Sequence, residues 1–173
     1  MSEPLGAIPA AIVRQAKHVL GRACEHDLSI VTAESCTGGL LASLLTDVEG
    51  RSSAFERGYV VYSKEAKCEL LHVARDVVER CGAVSRDVAE AMADGALKGS
   101  HGDVGVAITG FAGPGAPDDE PGLVHFGCVS RRGHRAHREC HFGDIGRGPV
   151  RERALGVALD MLADAIAHES RAA

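Results

Sequence analysis

Apolar positions recur along this chain with two periods. Residues 8–24 set Ile8, Ala11, Ile12, Val13, Ala16, Val19 and Leu20 at helical spacing, with Lys17 and Arg22 on the opposite side. Further helices are expected over 38–47, 63–71, 75–80, 85–97 and 150–167. Ser63 and Ser85 stand where N-caps belong. Short apolar runs over 28–33, 55–62 and 104–109 read as buried strands. Residues 123–130 and 134–142 flank Arg131-Arg132-Gly133 and predict a hairpin. Helices that alternate with buried strands and then give way to a hairpin predict an α/β fold, a three-layer αβα sandwich with a mixed sheet. No repeat, low-complexity segment or linker interrupts the chain, and 173 residues suit a single domain. Residues 169–173 are expected to fray.

Composition narrows the classes of function. Hydrophobic residues make up 45% and aromatics only 3%, so the core must be aliphatic. The net charge is −5, and the one basic cluster, Arg131, Arg132, Arg135 and Arg138, is diluted by Glu139 and Asp144. A nucleic-acid face is not expected. No apolar stretch reaches membrane-spanning length, and no basic segment followed by an apolar stretch opens the chain, so neither membrane insertion nor export is expected. The six cysteines form no C-x-x-C pair and read as free thiols of a cytoplasmic protein.

Candidate chemistry gathers where strands end. In a parallel α/β sheet, ligands bind beyond the carboxyl ends of the strands. Three such ends are chemically loaded: Glu34-Ser35-Cys36-Thr37-Gly38-Gly39, Tyr62-Ser63-Lys64-Glu65-Ala66-Lys67, and Thr109-Gly110-Phe111-Ala112-Gly113-Pro114-Gly115. The first is a strand–turn–helix transition. Its hydroxyls can cap the helix, or Ser35 can attack a carbonyl while helix N-terminal amides receive the oxyanion. A serine nucleophile needs a base. No histidine is expected near these segments. Lys67, one turn into a helix, can serve if burial lowers its pKa, although an ordinary solvated lysine fits the same position. Tyr62 can relay a proton or orient Lys67, or simply be a half-buried strand aromatic. Cys36 is a minor alternative nucleophile. The glycines of 110–115 can wrap a phosphate or ribose, or serve plain turns. His134, His137, Cys140 and His141 suggest a metal, but strand alternation sends His134 and Cys140 to one face and the other two to the opposite face, so no metal site is expected.

At these residues the chain resembles the CinA C-terminal domain family, whose enzymatic members are nicotinamide mononucleotide deamidases. The match is carried by Ala33 to Gly39, Tyr62 to Lys67, Val84-Ser85 with the helix to Ala93, Thr109 to Gly115, and Arg147 and Arg151 in a late R-x-x-V-R element. The resemblance implies hydrolysis of the carboxamide of nicotinamide mononucleotide to nicotinate mononucleotide and ammonia. It implies Ser35 as nucleophile, Lys67 as general base and Tyr62 in support. It also implies a substrate-binding set of Glu34, Cys36, Thr37, Gly38, Gly39, Thr109, Gly110, Gly113, Arg147 and Arg151, one of the late arginines holding phosphate. No cofactor is implied; a small-molecule nucleotide substrate and a homo-oligomer are. Residues 116–122 are more acidic than the family pattern and lack its lysine, and 143–146 set the usual Gly-Asp two residues further from Arg147. These departures keep open an alternative, a non-catalytic nucleotide-binding module acting through a protein partner.

Overall fold

A computed structural model describes residues 7–171. Six α-helices and five strands follow one another as α1 (Ala10–Glu25), β1 (Ile30–Glu34), α2 (Leu40–Thr46), β2 (Phe55–Val60), α3 (Lys64–Leu71), α4 (Arg75–Cys81), α5 (Arg86–Lys98), β3 (Val104–Gly110), β4 (Leu123–Ser130), β5 (Arg135–His141) and α6 (Arg147–Arg171). The strands form one sheet in the order β2-β1-β3-β4-β5. β2, β1 and β3 run parallel, and β4 and β5 return antiparallel. The expected mixed sheet is present.

Strand alternation divides the core into two layers. Ile30, Val104, Val106, Ile108, Val124, Phe126 and Cys128 face α1, α2 and α6. Val31, Ala33, Ala107 and Val129 face the layer that holds Val88, Met92 and Ala96 of α5 together with Leu71 and Val78 of α3 and α4. Helices therefore cover both faces, the three-layer sandwich predicted above. Close approach matters within the second layer. A Cβ on Gly95 of α5 would run into the backbone carbonyl of Leu71 at the end of α3.

Several expectations need correction. β2 is an edge strand, with Arg57, Gly58 and Val60 exposed, so of the three expected buried strands only β1 is buried throughout and β3 as far as Thr109. Nothing in periodicity distinguishes an aromatic-rich edge from a buried strand. The helix expected from residue 38 starts at Leu40, because Gly38 and Gly39 take φ of 64° and 92°. The last helix extends through Arg171 rather than fraying from 169. Glu169 is buried and its carboxylate accepts from the Arg132 amide at 2.9 Å, tying that turn to the β4–β5 hairpin. Residues 172 and 173 of the expected frayed end lie outside the described residues. The basic cluster is committed within the fold. Arg131 donates to the carbonyls of Leu97, Ser100 and Gly102, and Arg138 pairs with Asp164. Among the described residues no helix is long and apolar enough to cross a membrane.

Candidate active site

The parallel register brings three strand ends to one rim. Glu34 pairs with Val60 on one side and Ile108 on the other, so the residues that follow, Ser35, Val61 and Thr109, stand at the same level. A cleft of about 260 Å³ opens there. Ser35, Cys36, Tyr62, Lys67, Thr109, Gly110, Gly113 and Arg147 all line it, as do Ala83, Val84 and Phe111.

Lys67 is not the solvated lysine that its position permits. It is 1% exposed. Ser63 caps α3, accepting from the Ala66 amide at 3.0 Å, and so starts the helix at the point that turns Lys67 inward one turn later. Its Nζ lies 3.0 Å from Ser35 Oγ, 2.8 Å from the Val61 carbonyl and 3.2 Å from the Tyr62 carbonyl. Burial, with no carboxylate in contact, lowers its pKa from 10.5 to about 8. The neutral amine has two N–H donors and one lone pair. The two carbonyls can take the donors, leaving the lone pair for the Ser35 hydroxyl proton. This is the arrangement a general base requires.

Of the roles open to Tyr62, contact with Lys67 is made by its main-chain carbonyl, while the residue is 68% exposed at the cleft mouth. Cys36 is buried, and burial pushes its thiol up to about 11, so it stays protonated at neutral pH. That removes the thiolate a cysteine nucleophile needs.

The helix N-terminus is not free for an anion, contrary to expectation. The Glu34 carboxylate, itself buried, folds back over the start of α2. It accepts from the amides of Gly39 (3.2 Å), Leu41 (3.0 Å) and Ala42 (2.8 Å). A carboxylate there satisfies the orphan donors and complements the macrodipole. Neither Ser35 nor Thr37 caps the helix, and Thr37 Oγ1 is buried without a partner among the described residues. Glu34, Thr37, Gly38 and Gly39 thus build the turn without lining the cleft. Among the described residues the amides of Cys36 and Thr37, which follow Ser35 in the chain, donate to no acceptor on another residue.

Thr109 is buried, and its Oγ1 donates to the Ala83 carbonyl at 2.7 Å, so it anchors the loop before α5 to the rim. The two late arginines separate. Arg147 at the start of α6 lines the cleft beside Gly113, 3.7 Å from where a Gly113 Cβ would stand. Arg151, one turn on, lies against the Ser35 turn, and its Nε donates to the Cys36 carbonyl at 2.7 Å. Sequence reasoning missed Ala83 and Val84 as cleft residues, since neither carries reactive chemistry. The tethering role of Glu34 was legible only as an acidic residue six positions before the helix start.

The histidines lie elsewhere. His125 Nδ1 and His137 Nε2 are 3.1 Å apart on β4 and β5, and His141 bridges Glu120 and Glu139. Among the described residues no group of three His, Cys, Asp or Glu is placed to hold a metal ion.

Comparison with known proteins identifies the family. Nicotinamide-nucleotide amidohydrolase PncC of Escherichia coli (strain K12) is 44% identical over 137 residues, covering 78% of this chain and 82% of that protein. A CinA-like protein of Akkermansia muciniphila is 48% identical over 149 residues, 83% of this chain but 36% of the longer relative. Among solved structures, the competence/damage inducible protein CihA from Agrobacterium tumefaciens superposes with a TM-score of 0.89 at 40% identity, covering 92% of this chain and 98% of that one. The family described as CinA C-terminal domain matches residues 13–166, and with the fold and the Ser35–Lys67 rim in place, the chain belongs to that family.

Proposed function

We propose that the chain is an amidohydrolase that converts nicotinamide mononucleotide and water to nicotinate mononucleotide and ammonia, in pyridine-nucleotide salvage. The observation that carries the reading is the buried Lys67 amine 3.0 Å from the Ser35 hydroxyl on the floor of a cleft. The substrate class is supported by the named activity of the 44%-identical relative.

The reaction follows from those groups. Lys67 takes the hydroxyl proton as Ser35 Oγ attacks the carboxamide carbon. The Cys36 and Thr37 amides receive the negative charge that develops on oxygen. Lys67 then delivers its proton to the leaving nitrogen, the C–N bond breaks, and ammonia departs. Water, deprotonated by the same amine, cleaves the resulting ester and frees the carboxylate product and Ser35. Arg147 is assigned to the 5′-phosphate, where its guanidinium can make paired bonds. Tyr62, exposed at the cleft mouth, is assigned a supporting role beside Ser35 and Lys67.

Residues 1–173 are read as one such domain, acting in the cytoplasm as a homo-oligomer. Six free cysteines support the compartment, and the family resemblance supports the assembly.

The test is ammonia release from nicotinamide mononucleotide by purified protein. Ser35→Ala is expected to lose more than about 10³-fold in kcat. Full activity in Ser35→Ala would remove the nucleophile. If wild-type protein is stabilised thermally by the nucleotide yet releases no ammonia, the binding-module alternative stands instead.

A further inference from the structure

We infer that Arg151 is a positioning residue for the oxyanion donors and not a contact for the substrate phosphate, so that the two late arginines divide binding from chemistry. The inference rests on the amidohydrolase reading above and assigns a role within the same site.

The Cys36 carbonyl and the Thr37 amide belong to the same peptide, and no peptide bond in the described chain is cis. In a trans peptide the C=O and N–H point in opposite directions. Arg151 Nε holds the carbonyl at 2.7 Å on one side. The Thr37 N–H is thereby turned the other way, away from the guanidinium, with no acceptor among the described residues. The turn itself has little else to hold that unit. Gly38 and Gly39 have positive φ, which leaves the backbone permissive, and the Gly38 amide bonds only to the Ser35 carbonyl at 3.1 Å. Glu34 anchors the far side of the turn at Gly39 and beyond. Arg151 is the clamp on the near side.

Its charge adds a second effect. A cation bonded to a carbonyl polarises the peptide and strengthens its N–H as a donor, and more so in a partly buried setting. The effect is realised as the oxyanion forms, so it acts on kcat. Arg147, four residues earlier, lines the cleft, whereas Arg151 does not. A ligand phosphate can reach Arg147 without displacing the bond that Arg151 makes to the turn.

The test compares kcat and KM for ammonia release in Arg151→Met, Arg151→Lys and Arg147→Met. Losing one oxyanion donor outright costs roughly 10²–10³-fold in kcat. Arg151→Met, which loosens and depolarises a donor, is expected to lose about 10–100-fold in kcat with KM within about threefold. Arg151→Lys keeps a cation that can reach the Cys36 carbonyl and is expected to recover most of that loss. Arg147→Met is expected to raise KM by about tenfold or more, consistent with the loss of a charge-assisted phosphate contact. A raised KM with unchanged kcat in Arg151→Met would make Arg151 a substrate contact and overturn the inference. Unchanged values for both constants would overturn it as well. Should Arg151→Met fail to fold, Arg151→Lys decides: a loss of kcat beyond tenfold counts against the clamp. A second measurement is independent of the substrate. Phenylmethanesulfonyl fluoride reacts with an activated serine and places a sulfonyl oxygen where the oxyanion forms. Its inactivation rate is expected to fall by about tenfold in Arg151→Met and to stay near wild type in Arg147→Met. Wild-type protein that is sulfonylated yet releases no ammonia would end the substrate reading and leave the Arg151 comparison intact.

Discussion

Replacing Lys67 by Met separates stability from catalysis in opposite directions. The lysine is buried against two carbonyls and a hydroxyl, and its pKa falls from 10.5 to about 8. At pH 7 an amine titrating near 8 is roughly one-tenth neutral, against about three parts in ten thousand for one titrating at 10.5. The fold therefore raises the fraction of competent base about 300-fold. The same shift is a stability term. The folded pKa lies below the unfolded one, so below pH 8 the folded state holds a proton it binds poorly. That destabilisation amounts to about 3 kcal/mol. It is fully present below about pH 8 and disappears as pH rises through 10.5, because the unfolded state then gives up its proton too. Met has nearly the same length and no charge. Against the recovered ~3 kcal/mol stands the Val61 carbonyl, buried and left without a donor, at roughly 1–3 kcal/mol. The net is zero to about 2 kcal/mol of stabilisation at pH 7, or no change to roughly 6 °C in melting temperature for a chain of this size. Catalysis should meanwhile fall by about 10²–10⁴-fold, the range for a general base. The assays are thermal unfolding by circular dichroism at pH 7 and pH 10, and ammonia release at pH 7. At pH 10 the advantage of Met should vanish or reverse. A melting temperature several degrees below wild type at pH 7 would refute the reasoning, since the lysine would then be net stabilising and not held as a strained base.

Other consequences are simpler. Wild-type kcat/KM should rise with pH about tenfold per unit below 8 and level off above it, because only the neutral amine of Lys67 accepts the proton; a flat profile from pH 6 to 9 counts against the assigned base. Glu34→Gln replaces two accepting oxygens by one and brings an NH2 against the α2 amides, so a loss of about 2 kcal/mol on urea unfolding is expected, with reduced kcat; unchanged stability would mean the helix start has other partners. Cys36→Ser should keep kcat within about tenfold, since the buried thiol is protonated at working pH, and abolished activity would return Cys36 to the list of nucleophiles.

Much of the molecule was legible in the order of its residues. Period-3.6 stripes and short apolar runs reveal helices and strands because local backbone geometry sets where successive side chains point. The small-residue turn after β1 marked Ser35, and the caps at Ser63 and Ser85 are present. Other features depended on what packs from far along the chain. Lys67 loses its water because Ser35, 32 residues away, and the end of β2 enclose it. No local pattern reports that desolvation. Glu34 fills the helix start instead of a ligand, since a buried carboxylate needs donors and the α2 amides are the ones within reach. Arg147 and Arg151 stand in one R-x-x-V-R element, and the sequence does not tell them apart. The tertiary structure starts α6 at Arg147 and places one arginine in the cleft and the other on the Ser35 turn, because successive turns of α6 meet different neighbours. Sequence thus determined the elements and the turn that carries Ser35. Three-dimensional packing decided which titratable groups lose water, and with that which of them can do chemistry.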